Sequence, residues 1–208
     1  FNASAFTVGK GISPAEKGKG TFSDRVGNNE LTSGIETAEI LATLGIYPVE
    51  FELEMIAFNQ NDPQRIHHLI KVHRFAQMIG HMEQLDEHTQ FLAECAALVH
   101  DIGIRPSEEK YGRCNGKLQE QEGPAYARKM LKKLKFEEAD IERICYLVGH
   151  HHTYTDIDGI DYQILVEADF LVNFYEDNLG KNIIETTLQK IFQTESGKML
   201  CRLCYLSY

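Results

Sequence analysis

The chain repeats one arrangement: stretches with apolar residues at helical spacing, separated by short segments rich in Gly, Pro and Asn. No run alternates apolar and polar residues long enough to predict a strand. The period is clearest from Asp62, which can cap a helix, with Pro63 suited to its first turn. Ile66, Leu69, Ile70, Val72, Ala76 and Ile79 then mark one predicted buried face. A second helix is predicted from about Glu87 through Phe91, Leu92, Cys95, Leu98 and Val99, ending at the Ile102-Gly103 step. Pro106, Gly112, Asn115 and Gly116 make residues 105–118 read as a loop with one helical turn. Further helices are expected over 120–134, 137–151, 161–175 and 182–192, with a short one near Leu200, and an earlier one over 31–44 before Gly45 and Pro48. The fold class that follows is all-α, a single-domain helical bundle. Residues 1–30, rich in Gly, Ser, Lys and Asn without a period, read as a loosely structured extension. Residues 31–208 form the helical domain, with its motif region at 62–177.

Composition narrows the function. At 208 residues, with 43% apolar and 25% charged residues, the chain is an ordinary globular domain. A net charge of -10 argues against binding large nucleic acids, which need a basic surface. It does not argue against a small phosphorylated ligand, because a bound divalent ion dominates the local field. No run of about 18 apolar residues is present and the first 20 positions lack a continuous hydrophobic stretch, so neither a membrane span nor a signal peptide is expected, and the expected location is cytoplasmic. Five cysteines, an odd number, fit reduced thiols, and the Cys201/Cys204 pair reads as helix-face packing rather than half a zinc site.

The candidate chemistry lies in polar residues set into apolar stripes. His68 adjoins Leu69, the pair His100-Asp101 closes the run Ala96-Ala97-Leu98-Val99, and Asp169 interrupts the run from Ile164 to Val172. Singly, such a histidine is an ordinary packed residue and such an aspartate an ordinary cap. Together they present carboxylates that burial makes costly without a compensating cation. Imidazole nitrogens with carboxylate oxygens suit iron, manganese, nickel, cobalt or zinc, and magnesium is also admissible.

The segment Cys95-Ala96-Ala97-Leu98-Val99-His100-Asp101-Ile102-Gly103, preceded by His68 on one helix and followed by Asp169 on another, resembles the signature of the HD superfamily of metal-dependent phosphohydrolases. The resemblance implies that His68, His100, Asp101 and Asp169 ligate one metal. His67 and His73 compete for the first position, and Val72, one turn after His68, favours His68. Relatives with two metals draw a second set from the region of His150-His151-His152, together with a histidine ahead of a Gly-x-x-x-Ala helix. This chain has Gln119-Glu120-Gln121-Glu122 before Gly123, so one ion is expected rather than two, with Glu120, Glu122 and His150 as substitutes for a second. His152 reads as a solvated helix end.

The expected reaction is hydrolysis of a small phosphate ester, a nucleotide being favoured. Asp101 would act as ligand and orienter of water, His150 or His151 as acid, and Lys71 and Arg105 as phosphate contacts or solvated charges. Two alternatives stand beside it: a nucleotide-binding sensor that hydrolyses nothing, and a di-iron oxygenase, which would need the second ion. A homo-oligomer is compatible with all three.

Overall fold

The computed structural model describes residues 49–207, and the expectations for residues 1–30 and 31–44 lie outside them. Nine α-helices follow in order: α1 (Val49–Phe58), α2 (Pro63–Met82), α3 (Glu87–Val99), α4 (Ile104–Tyr111), α5 (Gly116–Lys133), α6 (Glu138–Val148), α7 (Ile160–Glu176), α8 (Lys181–Lys190) and α9 (Glu195–Cys201), then a π-helical turn over Arg202–Leu206. No strand occurs among the described residues.

The helix starts follow local chemistry. Asp62 accepts from Arg65 N at 3.0 Å with Pro63 in the first turn, Asp86 accepts from Thr89 N at 3.0 Å, and Asn115 accepts from Leu118 N at 3.0 Å. Each cap satisfies a backbone donor that the helix cannot. α2, α3 and α7 pack on one another as the central trio, with α6 laid against α3 and α5, and α4 against α5. α7 is buried on nearly every face, from Asp161 through Asp169, which is the pattern of an interior helix. It shares one hydrophobic core with Leu69, Val72, Ala76, Leu98, Ile144 and Leu147.

Three sequence expectations change. Residues 105–118 are not a loop: α4 fills 104–111, because Pro106 falls in a first turn where its missing N–H costs nothing, and Gly112 closes the helix at φ 66°. α5 begins at Gly116, ahead of the expected position, because Asn115 caps it and Pro124 is carried inside the helix. Ile70 is exposed rather than part of the buried face of α2, since the burial stripe runs through His68, Leu69, Val72 and His73. All five cysteines are free, and of the Cys201/Cys204 pair only Cys201 packs in the core.

Gly103 has φ -73°, so it does not end α3 by a left-handed turn. Its lack of a side chain matters for packing instead, because a Cβ there would stand 2.9 Å from both Gln119 Cα and Gly123 N. Gly123 is tight in turn against Val148, where a Cβ would meet Cγ1 at 2.7 Å. The backbones behind Asp101 therefore touch. Gly103→Ala should lower stability by about 1–3 kcal/mol through overpacking, read by urea denaturation; an unchanged midpoint would show that α5 can retreat freely.

Candidate metal centre

His68 comes from the middle of α2, His100 and Asp101 from the turn after α3, Asp169 from the middle of α7, and His151 from the turn after α6. The Nε2 atoms of His68 and His100 face each other at 3.3 Å. Asp169 Oδ1 lies 3.2 Å from the first and 3.5 Å from the second. Asp101 points Oδ2 at the same two nitrogens, at 3.5 and 3.7 Å, and Oδ1 at His151 Nε2, at 3.4 Å. His68, His100, His151 and Asp169 are each 6% exposed or less, so this is an interior cluster rather than a surface accumulation of charge.

The outer ring nitrogens fix what the inner ones can be. His68 Nδ1 donates to Glu176 Oε2 at 2.8 Å, His100 Nδ1 to Ala97 O at 2.9 Å, and His151 Nδ1 to Val148 O at 2.8 Å; none of these oxygens has a proton to give. Neutral rings must then turn Nε2 lone pairs inward, onto two carboxylates that are also acceptors. A pocket of acceptors alone is held together by added protons or by a cation. His151 Nε2 is fully buried and satisfies no hydrogen-bond geometry, as expected of a ligand atom. Without an ion, protons fill the role. Burial opposes the charged form of His68, yet the hydrogen bond to Asp169 and the charges of Asp169 and Asp101 lift it to about 9. His100 is likewise raised against its burial by Asp101 and Asp169. Burial disfavours ionised Asp101, but His100 and His151 hold it at about 2, and Asp169 is held well below the usual range against its own burial by His100 and His68.

Two groups of donor atoms emerge, each within 4.8 Å: His68, His100 and Asp169, and beside them Asp101, His151 and His152. Asp101 adjoins both, through one oxygen each. His152 is not a solvated end: it is half-buried, hydrogen-bonded to Gln119 Oε1 and, through burial and the neighbouring His151, lowered to about 4.

The remaining sequence candidates are placed elsewhere. His150 donates to Tyr146 O at 2.7 Å and stacks on the Tyr146 ring, with no contact to the cluster. Glu120 accepts from His152 N and Thr153 Oγ1, beside the second group but outside it, and Glu122 is held by Lys110 and Tyr111. Lys71 pairs with Glu176, while Arg105 donates to Phe58 O and Glu109. His67 is exposed and His73 faces Glu94 at 3.2 Å, which leaves His68 alone of the three in the cluster.

Three contributors escape a reading of the sequence. Asn173 Nδ2 donates to Asp169 Oδ1 at 2.9 Å, and Glu176 receives His68. Both lie on the Asp169 face of α7, one and two turns on, a spacing that the sequence displays. Tyr154 packs on Phe170 with ring centroids 5.1 Å apart, and burial together with Asp169, Glu120 and Asp101 pushes its phenol up to about 12.

A model of the HD domain family matches residues 65–192, more than half of the chain. The crystal structure of a predicted HD superfamily hydrolase from an uncultured Thermotogales bacterium is similar, with a TM-score of 0.53 at 25% identity over 74% of this chain and 82% of that one. No curated protein matches.

Proposed function

The chain belongs to the HD domain family, and from that premise we propose that it is a metal-dependent phosphohydrolase acting on a small phosphate ester, a nucleotide in preference to other esters. The observation that carries this reading is the set of inward lone pairs from His68, His100 and His151 facing Asp101 and Asp169. Nitrogen and carboxylate donors fit a transition-series divalent ion such as iron, manganese, nickel, cobalt or zinc better than magnesium, which prefers oxygen alone. His68, His100, Asp101 and Asp169 would hold the first ion. Asp101, His151 and His152 offer a place for a second, in a different set from the Glu120, Glu122 and His150 that sequence suggests.

When bound, the ion supplies Lewis acidity to a phosphoryl oxygen and acidifies a water. Asp101, with one oxygen toward each donor group, would orient that water by accepting its hydrogen bond. With one ion bound at His68, His100, Asp101 and Asp169, His151, whose Nδ1–H is pinned to Val148 O, would have its Nε2 lone pair available to take the proton and pass it to the leaving oxygen; with a second ion it would serve as a ligand instead. Tyr154, its phenol held protonated by burial and by Asp169, would be available as a neutral hydroxyl beside the site. No helix among the described residues is long and apolar enough to cross a membrane.

The test is elemental analysis of the purified protein, with phosphate release measured on nucleoside mono- and triphosphates and cyclic phosphates before and after chelation. Bound metal with release that chelation abolishes supports the hydrolase. Metal without release on any ester moves the reading to a binding module, or, if two irons consume dioxygen, to an oxygenase. A protein that takes up no divalent ion sinks the proposal.

A further inference from the structure

α7 delivers more than one ligand to the cluster. Asp169 enters it directly, Asn173 holds Asp169, and Glu176, at the C-terminal end, reaches back to His68. The Glu176 carboxylate is 17% exposed and divides its two oxygens: Oε2 accepts His68 Nδ1–H at 2.8 Å and Oε1 accepts Lys71. Lys71 is one turn beyond His68 on α2, so the contacts bind the last turn of α7 to the ligand-bearing turn of α2.

We propose that Glu176 is a positioning residue for the metal: it holds the His68 ring by Nδ1–H so that Nε2, and not Nδ1, is the nitrogen aimed into the cluster. Three facts support this assignment. Among the described residues His68 Nδ1 is hydrogen-bonded to Glu176 alone, so without it the ring loses its anchor and can present either nitrogen inward. An anionic acceptor behind an imidazole also makes the forward nitrogen a stronger donor, which the backbone carbonyl behind His100 does less well. Lys71, 44% exposed, then balances the Glu176 charge and is not a phosphate hand.

The inference rests on the metal-hydrolase reading, and the experiment separates the two. Metal-stripped wild type, Glu176→Gln, Glu176→Ala and Lys71→Met are titrated with cobalt(II) against a competing chelator, recording affinity and the visible ligand-field absorption. Glu176→Ala should bind about 10–100-fold more weakly, the range for loss of a ligand's supporting partner, with a shifted absorption band. Glu176→Gln, which keeps an acceptor oxygen but not the charge, should fall between it and wild type. Lys71→Met should change affinity less than Glu176→Ala, and the KM for any ester turned over should stay within about threefold. Thermal melts of the metal-free variants identify any that fail to fold, and the isosteric Glu176→Gln carries the test if Glu176→Ala does. Wild-type affinity and spectrum in Glu176→Gln and Glu176→Ala would reduce Glu176 to a surface ion pair and overturn the inference, leaving the hydrolase intact. A wild type that binds no cobalt removes the hydrolase reading itself.

Discussion

His100→Ala should reduce bound metal to a small fraction of the wild-type content and slow phosphate release by about three orders of magnitude, equivalent to about 4 kcal/mol of lost transition-state stabilisation. His100 is fully buried at the end of α3, and its Nε2 is 3.3 Å from that of His68. The variant also opens space in the interior, so Asp169→Asn provides the shape-preserving control. An amide at that position keeps the volume but removes the charge facing both imidazoles, at 3.2 and 3.5 Å. Loss of metal and turnover in both, with retained helical circular dichroism, supports the ligand set. Full metal content in Asp169→Asn would contradict it.

Removal of the metal should make stability fall as pH rises above neutrality. His68 rises from 6.5 to about 9 in the folded, metal-free protein. The stabilisation it confers is therefore complete below its ordinary value and is lost as pH climbs through 9. Asp101 is displaced the other way, to about 2 from 3.8, so its contribution persists above its ordinary value and disappears only as pH falls toward 2. Metal-free protein should thus be most stable between these limits and weaken from pH 7 to 9. The advantage of the loaded over the metal-free protein should widen over that window, because the ion competes with the His68 and His100 protons for the same lone pairs. With metal at about a thousand times its dissociation constant the stabilisation is about 4 kcal/mol. Melts with and without chelator at pH 6, 7, 8 and 9 check this, and a gap that narrows as pH rises would show that the ion does not bind at those nitrogens.

The sequence displays most of this centre, for local reasons. His100-Asp101 ends an apolar helix, and Asp169 interrupts another, so burial of polar groups is visible as a break in pattern. The choice between His150 and His151 is not visible. α6 ends at Val148, and the following turn sends adjacent imidazoles in different directions, His150 to Tyr146 and His151 to Asp101. Lys71 and Arg105 look like phosphate contacts when charge is read without partners, and Glu176 and Phe58 O supply those partners from elements distant in sequence. The helix α4 is hidden because Pro106 and Gly112, which read as loop residues, sit at a first turn and just past a last one, where a helix accepts both.

The proposed ligands His68 and His100 are separated by 32 residues of chain, and Asp169 lies farther still along it. An ion joining them ties α2, α3 and α7 together as a covalent cross-link would, closing long loops that an unfolded chain must otherwise close at an entropic cost. Such a cross-link, unlike a disulfide, would form without oxidation of its ligands and could be withdrawn by protons or a chelator. On the proposed reading the reactive centre would also be a reversible knot in the architecture, and the supply of metal would set how tightly the three central helices are joined as well as how fast the protein turns over.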